Sequence, residues 1–132
     1  MSAVFEMHDS ECIAIEVDEN GGGFVLLDAY VHRCEGERLM SPHEGGYQRI
    51  RMRVERVTRK IAVSNLPARI CKGSLTVGED VQDNIIRFPA IHTEPVQISM
   101  TFADGSQVVV VSAHGLSIEP EGEFRFAEMV DF

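Results

Sequence analysis

The stretch Val96-Gln97-Ile98-Ser99-Met100-Thr101-Phe102, followed by Ala103-Asp104-Gly105-Ser106 and by Gln107-Val108-Val109-Val110-Val111-Ser112-Ala113, decides the fold class. Apolar and polar residues alternate without a break from Val96 to Phe102, which puts Val96, Ile98, Met100 and Phe102 on one face of a half-buried strand. Asp104-Gly105 supplies the two positive-φ positions of a type I′ turn, so residues 107–113 return as the partner strand. With that two-residue loop Phe102 faces Gln107, Met100 faces Val109, Ile98 faces Val111 and Val96 faces Ala113. The return strand is apolar on both faces, which is the pattern of a central strand.

The same period extends outward. Leu116 to Glu119, a turn at Pro120-Glu121-Gly122 and Phe124-Arg125-Phe126 continue the hairpin as a C-terminal antiparallel meander. Upstream, Cys12 to Val17 and Phe24 to Arg33 flank the glycine-rich connection 18–23 and fit a second hairpin. Short strands are expected at Gly73 to Val77 and Ile85 to Phe88. Tyr47 to Ile61 is ambiguous: Ile50, Met52 and Val54 alternate as in a strand, while Ile50, Val54, Val57 and Ile61 also share a helical face. Residues Glu35 to Gly46, rich in Gly and charge, read as a long loop or lid. The expectation is one all-β domain over 1–132, an antiparallel β-sandwich or a partly open β-barrel, with both architectures open.

Composition bounds the function. A hydrophobic fraction of 44% with 25% charged residues belongs to a globular chain. At this length the fold buries roughly two thirds of the unfolded surface. The first twenty residues carry six acids and no apolar stretch of signal-peptide length, and no run approaches the roughly twenty residues that span a bilayer. Cys12, Cys34 and Cys71 are odd in number and form no CxxC pair, so reduced thiols in a cytoplasmic protein are expected. The net charge of −9 opposes general nucleic-acid binding. Basic charge is concentrated in one segment: Arg49, Arg51, Arg53, Arg56, Arg59 and Lys60 stand against Glu55 alone.

Motifs for chemistry are sparse. His8-Asp9 is the dipeptide of a family of metal-dependent phosphohydrolases, but their ligands project from helices that an all-β chain lacks. His32 and Cys34 share a strand face and could give zinc two ligands; the ordinary reading is a hydrogen-bonded histidine beside a small buried thiol. No HxH of a cupin metal site and no GxSxG occurs. Gly21 to Gly23 lacks the Lys and following helix of a phosphate loop. No cofactor, metal ligand or catalytic residue is assigned. As a strand, Arg49, Arg51 and Arg53 form a stripe opposite Ile50, Met52 and Val54, suited to carboxylate or phosphate; the alternative is a solvated face whose charges pair across strands.

Met7-His8-Asp9-Ser10 leading into Ile13 and Ile15, with Tyr30-Val31-His32, Leu66-Pro67, Gly73-Ser74-Leu75, residues 84–89 and the Asp104-Gly105 hairpin, resembles a loosely defined group of small bacterial all-β proteins that begin with a Phe-His-Asp-like motif. Some are similar to immunity proteins that neutralise toxins and travel on mobile gene cassettes. Met7 stands where that motif has Phe, and no active site carries over. Within this pattern His8-Asp9 is expected to fix the first strand through local hydrogen bonds. The resemblance implies a non-enzymatic interaction protein acting through an acidic surface on a protein partner. The alternative is a small-molecule-binding barrel or sandwich with Tyr30, His32, Arg49, Arg51 and Arg53 at a pocket mouth. A homodimer through edge strands is expected.

Overall fold

The structure, a computed structural model, describes residues 2–34, 42–61, 65–105 and 108–131, without the side chains of residues 2 and 108–110. Ten strands follow in order: β1 (Ser2–Val17), β2 (Gly23–Cys34), β3 (His43–Val54), β4 (Arg59–Lys60), β5 (Ala68–Val77), β6 (Asp80–Asp83), β7 (Ile85–Arg87), β8 (Ala90–Phe102), β9 (Val108–Pro120) and β10 (Arg125–Val130). No helix among the described residues is long and apolar enough to cross a membrane.

Six of these strands, in the circuit β3-β2-β1-β5-β8-β9, form a closed antiparallel barrel, and Ile50–Val54 of β3 paired to Leu116–Pro120 of β9 is the seam. Of the two architectures open from sequence, the barrel is the one formed. Closure removes the edges of the six barrel strands, while β4, β6, β7 and β10 pair outside that circuit. Inward-facing residues follow the period of two: Val25, Leu27, Ala29 and Val31 on β2, Ile50, Met52 and Val54 on β3, Ile98, Met100 and Phe102 on β8. Each such buried aliphatic or aromatic side chain contributes about 1.5–3 kcal/mol. Eight strands enclose an interior that side chains just fill, so a six-stranded barrel has less room still. The apolar strand faces named above form the core. Cys12 lies in that core, where burial pushes its thiol up to about 12; Cys71 is exposed.

The β8–β9 register matches the expectation at every described pair: Met100 faces Val109, Ile98 faces Val111 and Val96 faces Ala113. Gln107 lies outside the described residues. The turn differs, because only Gly105 is left-handed (φ 73). Its N–H donates to the Phe102 carbonyl at 2.9 Å, so Ala103-Asp104 form the turn centre and the glycine follows. A turn followed by a left-handed glycine is the other common way to close such a hairpin. The 18–23 connection is a hairpin turn, in which the Asp18 carboxylate accepts from the N–H groups of Asn20 and Gly22.

The ambiguous segment is strand through Val54, since Ile50, Met52 and Val54 all enter the barrel core. The expected loop Glu35 to Gly46 is shorter at its end, because His43–Gly46 belong to β3, while 35–41 lie outside the described residues. The last strand of the C-terminal run turns away from β9. The end of β9 is already paired to the second half of β3, so β10 runs along the first half, residues 43–47. There the glycines make room. A Cβ on Gly45 would sit 2.5 Å from the Tyr30 hydroxyl, and one on Gly46 would collide with the Arg125 carbonyl.

Candidate functional site

The first strand breaks its pairing in the middle. Glu6 pairs with Tyr30 and Glu11 with Asp28, so residues 7–10 bulge out opposite Ala29 alone. Met7 turns inward, fully buried and packed under Gly73. His8 N–H donates to Asn84 Oδ1 at 2.7 Å. Asp9 adopts a left-handed conformation (φ 70), which its short polar side chain tolerates. Its carboxylate lies 2.5 Å from Arg69 Nη2 and 3.1 Å from His8 Nδ1. Ser10, buried, restores the missing ladder bonds: its hydroxyl donates to the Glu6 carbonyl and accepts from Tyr30 N–H at 3.1 Å. His8-Asp9 therefore lies in a bulge held by polar contacts, in part local, between His8 and Asp9 and between Ser10 and Glu6, and in part distant in sequence, to Asn84 and Arg69. Among the described residues no group of three or more His, Cys, Asp or Glu is placed to hold a metal.

The bulge forms one wall of a cleft of about 510 Å³ on the outside of the barrel, lined by Glu6, Asp9, Tyr30, His32, Tyr47, Glu128, Met129, Val130 and Asp131. Tyr30 and Tyr47 face each other across β2 and β3 with ring centroids 5.3 Å apart, edge to face. The Tyr30 hydroxyl donates to Glu128 Oε1 at 2.5 Å. Burial, and then the Glu128 carboxylate beside it, push the Tyr30 pKa up, which keeps the phenol protonated as a donor.

Behind the tyrosines runs a buried polar chain. Glu6 Oε2 lies 2.9 Å from His32 Nε2, and His32 Nδ1 lies 2.7 Å from His43 Nε2. An ionised carboxylate only accepts, so His32 donates through Nε2 to Glu6. In its neutral form His32 then accepts at Nδ1, and His43 Nε2–H is the donor. At 7% and 2% exposure these imidazoles brace the cleft wall.

The structure brings together Tyr30 and His32 of the residues expected at a pocket mouth and separates them from the arginines. Arg51 grips Glu121 with two hydrogen bonds at 2.7 and 3.0 Å and stacks 4.2 Å over Phe24. Arg53 pairs with Glu119 at 2.9 Å. Arg49 is exposed at the same face. Across the β3–β9 seam Arg51 and Arg53 meet carboxylates, the cross-strand pairing that was the alternative reading of the stripe. The Glu121 carboxyl is held below its usual range by Arg51, and the Arg51 guanidinium is raised by Glu121. Glu6, Glu128, Met129 and Asp131 were missed from sequence. They come from β1 and from β10 and its end, which meet only because β10 docks on the first half of β3. Compared with known protein families, with curated proteins and with solved structures, the chain matches none.

Proposed function

We propose that the chain is a non-enzymatic binding protein that receives a cationic group of a protein partner in the cleft between the β1 bulge and β10. The observation that carries this reading is the lining itself: Glu6, Asp9, Glu128 and Asp131 surround the Tyr30–Tyr47 pair, and among the described residues no lysine or arginine lines the cleft, Arg69 meeting only the Asp9 carboxylate at its margin. Carboxylates give a guanidinium or ammonium charge-assisted hydrogen bonds, and tyrosine faces attract the same cations. Outside the basic segment 49–60 the chain carries twenty acids against six bases, a field that accelerates encounter with a basic surface and disfavours acidic ones. The resemblance of the Met7-His8-Asp9-Ser10 start to a loosely defined group of small bacterial all-β proteins, some of them similar to immunity proteins, supports a cationic toxin surface as the partner.

The test is a ¹H–¹⁵N NMR titration with a hexalysine peptide at low and high salt. Amide shifts centred on Glu6, Tyr30, Tyr47 and Glu128–Asp131, weakened by salt and lost in Glu128→Lys/Asp131→Lys, support the assignment. Shifts scattered over the acidic surface, or unchanged in the double variant, overturn it.

A further inference from the structure

We propose that the partner supplies an extended segment, alternating basic and apolar residues, that adds to the free edge of β10 as a further strand. This rests on the reading of the cleft as a cation site and specifies how the partner reaches it. β10 is bonded on one side to residues 43–47 of β3; along its other edge no strand lies among the described residues. In a fold whose main sheet is closed into a barrel, this leaves the outer edge of β10 without a strand neighbour among the described residues, and alternate residues of 125–130 turn their backbone N–H and C=O groups toward it, which is the template for strand addition.

The side chains of β10 are also those of a docking strand. Phe126 and Met129 are 59% and 57% exposed. The bulge between Phe126 and Glu128 leaves Glu128, Met129 and Val130 in regular pairing. Arg125 is drawn back onto Asp28, so its charge is spent inside the molecule. Beyond it, 126–131 contain no lysine, arginine or proline to guard the edge.

Charge selects the occupant. A second copy would bring another net −9, and like net charge disfavours self-pairing. A basic strand complements the same residues. Adjacent residues of a strand point to opposite faces, so Glu128 and Met129 address different sides of an added strand. Basic residues of the partner align with the Glu128 face and apolar residues with the Met129 face. Neighbouring strands lie about 4.8 Å apart, within reach of a lysine stem from the added strand to the cleft rim at Glu128 and Asp131.

The experiment compares capped peptides of identical charge by calorimetry and by hydrogen exchange: Lys-Val-Lys-Val-Lys-Val, two versions N-methylated at all lysine or all valine amides, and the block sequence Lys-Lys-Lys-Val-Val-Val. The alternating peptide is expected to bind, to slow exchange at residues 125–130, and to outbind the block sequence. Methylation on the edge that meets β10 removes two or three hydrogen bonds and is expected to weaken binding about tenfold to a hundredfold, while methylation on the outer edge leaves it unchanged. Equal binding of all four peptides, abolished by Glu128→Lys/Asp131→Lys, would overturn strand addition and leave the cation site standing. No binding of any peptide would overturn both. A wild-type dimer in sedimentation that Met129→Lys dissociates would identify a second copy as the occupant of the edge and overturn the proposal.

Discussion

Replacing Ser10 by alanine removes one oxygen atom, and the structure fixes what that atom does. Ser10 is 1% exposed; its hydroxyl accepts from Tyr30 N–H at 3.1 Å and donates to the Glu6 carbonyl. In a regular ladder a β1 backbone group would satisfy Tyr30, but the bulge has carried that backbone away. Alanine leaves the Tyr30 N–H without this acceptor, at a cost of about 1–3 kcal/mol. Given a urea slope of about 1–3 kcal/mol per molar, the unfolding midpoint should fall by on the order of 1 M. Circular dichroism through a urea titration measures this directly. Native-state hydrogen exchange should show the Tyr30 amide losing protection while Val25 and Leu27, deep in the barrel on the same strand, keep theirs. A loss under about 0.5 kcal/mol, the level of an ordinary surface substitution, with the Tyr30 amide still protected, would show that backbone contacts alone hold the bulge.

Three further outcomes are expected. Gly46→Val drives a side chain into the Arg125 carbonyl and the Phe124 ring, so β10 should lose exchange protection while the barrel strands retain theirs; protection of 125–130 equal to wild type would contradict the packing argument. In a Tyr47→Phe background, alkaline titration of phenolate absorbance should place Tyr30 above the ordinary tyrosine value of about 10, because of burial first and Glu128 second. Its contribution to stability is present below that ordinary value and falls as pH rises through the folded one. Glu128→Gln should lower the midpoint, and no change on that substitution would remove Glu128 as a cause. For Glu121, whose carboxyl Arg51 depresses, the contribution is present above the ordinary carboxylate range and is lost as pH falls through the folded value. Arg51→Met should return the NMR titration of Glu121 toward ordinary, and an unmoved curve would exclude the pair as the cause.

The period of two made the strand class legible, and the hairpin register from 96 to 113 was legible because both partners are adjacent in sequence. Closure was not. The seam joins Ile50 to Pro120 and Val54 to Leu116, and no local pattern marks two distant edges as complementary. The fate of the arginines depended on that seam, since Glu119 and Glu121 reach Arg53 and Arg51 only across it. Tyr30 and His32, two apart on one strand, could be placed on a shared face from spacing alone. Glu128 could not, because its approach to Tyr30 passes over Gly45, a residue whose charged and glycine-rich surroundings read as loop.

The double duty of β3 has a consequence for how this molecule comes apart. One half of the strand is sealed into the barrel and the other carries β10, an element that crosses no core and interrupts no circuit when it leaves. Detachment of β10 is therefore expected to need less free energy than global unfolding. The strand that forms one wall of the cleft is a flap on a closed frame, tied to it by the pairing with β3 and by two side-chain contacts to β2, Glu128 with Tyr30 and Arg125 with Asp28: substitutions on its outer edge are borne by the flap, while changes at Glu128 or Arg125 reach the frame through those two contacts.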